Sequence, residues 1–165
     1  MMGDGSRRSA LHYAYKLLSY RGRSEAEMVR RLMLKGFDAA EIRAAVTGLR
    51  ENGFLDDMRL AASLRRYAEE SKHLSLSGTR RFLIERGIPA DISEEVVKDI
   101  DETETAKRLV EKKIGGWKKH GCSERDPRSG EATLRKLHGV LYRRGYPSEA
   151  IKKVLRELKD KEDSK

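Results

Sequence analysis

Three copies of one eighteen-residue phrase constrain how this chain can fold. The copies are LMLKGFDAAEIRAAVTGL at 32–49, LIERGIPADISEEVVKDI at 83–100 and LYRRGYPSEAIKKVLREL at 141–158. Each centres on a glycine: Gly36, Gly87 and Gly145. Apolar residues stand four and three places before it, as Leu32 and Met33, Leu83 and Ile84, Leu141 and Tyr142. A cation immediately precedes it (Lys35, Arg86, Arg144) and an apolar residue follows (Phe37, Ile88, Tyr146). Two more apolar residues close each phrase: Val46 and Leu49, Val97 and Ile100, Leu155 and Leu158.

The phrase reads as helix, stop, helix. A glycine just past a helix end takes the left-handed conformation without a Cβ clash, and the apolar residue after it can fold back on the last turn. The cation faces the negative end of the helix dipole. A new helix then starts, marked by Asp38 with Glu41 three residues on, or by Pro89 and Pro147 near a first helical position. Six offsets agreeing in three copies indicate an internal repeat.

Glycine spacings of 51 and 58 residues leave room for about three helices per copy. Of all residues 38% are apolar, 6% aromatic and 38% charged, which suits thin amphipathic helices packed end to end. The expected fold is all-α: three tandem three-helix repeats at 9–55, 56–101 and 102–160, in an elongated, curved molecule. Residues 1–8 are expected to be a disordered N-terminus and 161–165 a charged tail.

The net charge of +9 is unevenly spread. Residues 1–55 carry 10 Lys/Arg against 6 Asp/Glu (net +4), 56–101 carry 8 against 10 (net −2), and 102–165 carry 18 against 11 (net +7). Two basic ends suit nucleic acid, or a protein that is acidic or loaded with nucleic acid. Cys122 is the only cysteine, so no internal disulfide forms. No run of 18 apolar residues and no apolar leader is present, which makes the cytoplasm the default location and a membrane partner unexpected.

Within the first repeat the expected buried stripes are Leu11, Tyr15 and Leu18, then Val29, Leu32 and Met33, then Ile42, Val46 and Leu49. Ser24 with Glu27 reads as a capping box. Phe54 and Leu55 are expected in the joint between repeats, with Asp56 capping the next helix and Asp57 near its positive end. The fourth helix carries Leu60, Leu64, Tyr67 and Ala68, and 71–78 reads as a serine-rich turn. The sixth helix is expected from about Pro89 to Ile100. In the last repeat, Gly115-Gly116 should end or loosen the seventh helix early, and 118–130 reads as a mobile loop.

The candidate binding residues are the cations on the outer faces of the second, fifth and eighth helices. They are Arg30, Arg31 and Lys35; Arg80, Arg81 and Arg86; and Arg135, Lys136, Arg143 and Arg144. Tyr13, Tyr20, Tyr142, Tyr146 and Trp117 are weaker candidates for base stacking. His120 and Cys122 lack the further ligands of a zinc site, and no phosphate loop or nucleophile–base pair is present. No enzymatic activity, cofactor or metal is therefore expected.

An ordered series of motifs resembles the RecX family. It comprises Ser24, Lys35-Gly36-Phe37, Ile42, Gly53-Phe54-Leu55-Asp56-Asp57 followed by Arg59 and Ala61, and Arg143-Arg144-Gly145-Tyr146. The middle joint, Arg86-Gly87-Ile88, and the preceding Ser77-Gly78-Thr79 depart mildly from the family pattern. The resemblance covers about residues 10–158. It implies a partner of the recombinase RecA, lying in the groove of the RecA–DNA filament, and the chain itself is expected to be a monomer. It also implies modulation, usually inhibition, of filament growth, ATP hydrolysis and strand exchange. The alternative is a stand-alone nucleic-acid-binding protein of helix-turn-helix type. The helices after the first two joints, rich in Asp and Glu, weigh against that.

Overall fold

In the computed structural model of the chain, residues 9–119 and 127–163 are described. They form α1 (Ala10–Tyr20), α2 (Glu25–Lys35), α3 (Ala39–Glu51), α4 (Asp57–Tyr67), α5 (Leu76–Glu85), α6 (Ala90–Val97), α7 (Glu102–Lys119), α8 (Pro127–Arg143) and α9 (Ser148–Asp163). A π-helical turn, Ala68–Lys72, extends α4, and no strand occurs among the described residues. The fold is all-α, as expected.

All three joint glycines adopt the left-handed conformation, with φ of 93° at Gly36, 81° at Gly87 and 87° at Gly145. Each joint closes with the same two bonds. The Gly36 amide donates to the Met33 carbonyl at 3.0 Å and the Phe37 amide to Leu32 at 3.3 Å. Gly87 and Ile88 donate to Ile84 and Leu83, and Gly145 and Tyr146 to Tyr142 and Leu141. This is the Schellman pattern, and the apolar residue at the next position anchors the closing turn. The capping box at Asp38 and Glu41 is complete. The one expected at Ser24 is half made: Ser24 Oγ accepts from the Glu27 amide, but the Glu27 carboxylate is engaged by arginines instead.

The chain divides into two compact units. The first combines Met1–Leu64 with Leu83–Val96, the second Arg65–Phe82 with Val97–Lys165. The core of the first joins Ala10, Ala14, Met28, Leu32, Ile42, Ala45, Leu49 and Leu55 from α1, α2, α3 and the turn after them. The core of the second joins Ala106, Leu109, Val110, Leu137, Leu141, Tyr146, Ile151 and Val154 from α7, α8 and α9. The residues between the outer helix triplets are distributed over the two units, so α4, α5 and α6 each contribute to both.

Several expectations are corrected. In α1 the buried positions are Ala10 and Ala14, while Leu11 and Tyr15 are exposed, because two small alanines let α1 approach its neighbours closely. In α2 Met28 takes the buried place expected for Met33, which is 63% exposed. Phe54 is exposed and stacks edge-on against Tyr15, whereas Leu55 is buried. Tyr67 is half exposed. α6 stops at Val97, and Ile100 lies beyond it. Gly115-Gly116 does not end α7, which continues to Lys119. Each glycine costs an exposed helix about 1 kcal/mol, and Ile114 and Trp117, packed against the second core, hold the turn together. The segment 118–130 is helical at both ends, with Pro127 opening α8. The expected turn at 71–78 contains the start of α5 at Leu76, and α9 runs into the expected tail. The frayed start at 1–8, the loop centre at 120–126 with His120 and Cys122, and residues 164–165 lie outside the described residues.

Candidate interaction surfaces

The start of α2 is a junction of three elements within the first unit. Ser24, fully buried, caps α2 and donates its hydroxyl proton to the Arg86 carbonyl at 2.9 Å. The Asp57 carboxylate accepts from the Glu25 amide at 3.0 Å, satisfying the first free N–H of α2. A Cβ on Gly87 would sit 2.5 Å from Ser24 Oγ. The second joint is thus docked on the cap of α2.

The second unit repeats the arrangement at α5. Ser75, fully buried, accepts from the Gly78 amide at 3.0 Å. The Glu102 carboxylate accepts from the Leu76 amide at 3.1 Å, standing where Asp57 stands in the first unit. The Ser75 amide donates to the Arg144 carbonyl at 3.2 Å, and Ser77 Oγ to Gly145 at 2.8 Å. Gly78 is required here, because a Cβ would fall inside the contact envelope of the Arg144 carbonyl oxygen. The departure Ser77-Gly78 is therefore the seat of the third joint. Leu55-Asp56-Asp57 and Ile100-Asp101-Glu102 are matching pieces: one buried apolar residue, one cap and one acid that reaches back. Asp56 accepts from the Arg59 amide and Asp101 from the Glu104 amide, both as helix caps. This correspondence was in the sequence, six to eight residues past the first phrase and at the end of the second.

Charge is concentrated around Glu27, whose side chain is 4% exposed. Arg21 holds it with two bonds, of 2.9 and 2.5 Å, Arg23 adds a third, and Arg31 Nε lies 3.9 Å away. Burial raises the carboxyl pKa, but the bonds and charges of Arg21 and Arg23 outweigh it and leave it below its ordinary value. Arg86 belongs to the same cluster. Burial, with Arg21 and Arg23 nearby, lowers its pKa against the opposing pull of Glu27, and its buried Nε has no acceptor.

In the second unit the corresponding surroundings centre on Tyr146 and His73. Tyr146 donates its hydroxyl to the His73 carbonyl at 3.2 Å. His73 is the one non-glycine residue with positive φ among the described residues, at 51°, and ends the π-helical turn. Its Nε2 lies 3.0 Å from Lys112 Nζ. Burial, then Lys112 and Arg144, hold its pKa below the ordinary value.

The ten candidate cations fall into two groups. Arg30, Arg31, Lys35, Arg81, Arg135, Lys136 and Arg143 are exposed. Lys35 lies over the Tyr13 ring and Arg135 pairs with Glu131 at 2.7 Å. Arg80, Arg86 and Arg144 are half-buried, and the last two lend their carbonyls to the docks. Of the aromatic candidates, Tyr146 is buried in the second core and Trp117 packs against it, whereas Tyr20 and Tyr142 are largely exposed. Among the described residues no group of three or more His, Cys, Asp or Glu side chains is placed to hold a metal ion. None of their helices is long and apolar enough to cross a membrane.

Comparison with known proteins agrees with this architecture. Residues 10–49 match the first three-helix domain of RecX and residues 100–155 the third. The chain is 34% identical over 147 residues to the regulatory protein RecX of Trichlorobacter lovleyi, covering 86% of this chain and 90% of that one. To the regulatory protein RecX of Chlorobaculum tepidum it is 29% identical over 164 residues, covering 99% and 97%. The crystal structure of RecX from Lactobacillus salivarius has the same fold, with a TM-score of 0.71 at 20% identity over 91% of this chain and 94% of that one. Matched in both outer helix triplets and along nearly its whole length, the chain belongs to the RecX family of regulatory proteins.

Proposed function

We propose that this protein regulates the recombinase RecA without chemistry of its own. It binds the RecA–DNA filament as a monomer in the cytoplasm and slows filament growth, ATP hydrolysis and strand exchange. Membership of a family of regulatory proteins carries this reading. The exposed cations Arg30, Arg31, Arg135 and Lys136 support it, since they suit a surface bearing phosphates and carboxylates. Asp56 and Asp57, the adjacent acids before and at the start of α4, are both engaged by backbone amides at helix starts.

The test is DNA-dependent ATP hydrolysis by RecA with and without saturating protein. Hydrolysis should fall, and replacing Arg30, Arg31, Arg135 and Lys136 together by alanine should weaken the effect while leaving the helical signal intact. Unchanged hydrolysis would reject the proposal.

A further inference from the structure

An open apolar groove runs along α2 and α3 in the first unit, with a volume of about 440 Å³. Val29, Met33, Phe37, Ile42 and Val46 line it, and Arg43 stands at its edge. Folding does not require this face to stay open. Met33 is 63% exposed, on a helix that already supplies Met28 and Leu32 to the core. Exposed apolar surface of this kind marks an interaction site. Arg43 in the groove wall is exposed and forms no ion pair among the described residues. An apolar floor with an unpaired guanidinium group in its wall complements a protein segment presenting a large apolar side chain beside a carboxylate. A phosphodiester backbone has no apolar group to fill the groove.

We infer that this groove is the protein-facing site of the molecule, and that it receives an acidic segment of the recombinase anchored by one large apolar side chain. The inference rests on the proposed RecA-regulating function and adds where the protein contact is made. The exposed Lys136 and Arg143 of α8, in the second unit, are left for nucleic acid.

The test uses full-length protein, fluorescently labelled, titrated with RecA filaments on single-stranded DNA and with bare single-stranded DNA. Met33→Glu should weaken filament binding at least about tenfold, by removing the apolar floor and repelling carboxylates, while Met33→Leu should stay within about threefold. Both should bind bare DNA like the parent chain. Because Met33 is largely exposed, the melting temperature should not move; if Met33→Glu nevertheless unfolds, Thr47→Glu on the same wall repeats the test. Filament binding unchanged in the glutamate variant overturns the groove assignment and leaves the regulatory proposal standing. A parent chain that does not bind filaments overturns both. Equal loss on bare DNA would make the groove a nucleic-acid site. Self-association of the parent chain in sedimentation, abolished by Met33→Glu, would make it a contact between copies. Either result overturns the inference.

Discussion

The starts of α2 and α5 are the same device built with different chemistry. In both, a buried serine caps the helix, an acid from a later helix satisfies its first amide, and a glycine joint docks on the cap. Three residues after the serine the two part. The first unit has Glu27, a buried carboxylate gripped by Arg21 and Arg23. The second has Gly78, with the Arg144 carbonyl lying against its Cα. The repeat therefore preserves backbone geometry and leaves side-chain chemistry to vary. Both docks are close approaches, and the first carries a buried charge cluster where the second has glycine.

Gly78→Ala should show the largest effect of breaking that comparison. The added Cβ meets backbone rather than a yielding side chain, so we expect about 3 kcal/mol of destabilisation. Urea unfolding would measure it. A cost below about 0.5 kcal/mol would mean that the third joint is not seated as described.

Glu27→Gln probes the other dock and should cost about 2 kcal/mol, less than a fully buried pair because Arg21 is 40% exposed. Since the folded carboxyl pKa lies below its ordinary value of 4.5, the stability it contributes is complete above that value. It is lost as pH falls through the lower folded pKa. The difference between parent and Glu27→Gln in urea unfolding should therefore hold from pH 7 to about 5 and shrink only below 4.5. A difference that already vanishes at pH 6 would remove the carboxylate from the dock.

The smallest effect, below about 1 kcal/mol, belongs to His73. Its folded pKa is lowered, so the unfolded chain takes up the proton first. Stability falls as pH drops below 6.5 and levels once the folded imidazole is protonated. Asp57, whose pKa burial raises, works in the opposite sense at more acid pH, so the measurement should compare the parent with His73→Gln. Titration of the His73 ring by NMR with a midpoint at or above 6.5 would contradict the crowding by Lys112 and Arg144. The first unit thus answers to acid below 4.5 and the second below 6.5.

Much of the fold was legible in the residues. The Schellman joints follow from glycine, its cation and the next apolar residue, because helix termination depends on local φ and local hydrogen bonds. The helix caps at Asp38 and Asp56 follow for the same reason. The candidate site was less legible. Arg86 and Arg144 have the sequence context of outward cations, yet both are half-buried at docks. The place of Met33 in an open groove, rather than in the core, depended on a helix rotated by about one position.

The sequence by itself determined that this protein is a series of helices joined by three equivalent turns, with basic ends, because periodicity, caps and charge act over a few residues. Only the tertiary structure decided which face of each helix is buried and what each joint docks on. Ser24 with Arg86 and Ser75 with Arg144 are 62 and 69 residues apart, and no local preference connects them. Their pairing is fixed by where the cores place the helix starts, and so is the groove left open along α2 and α3.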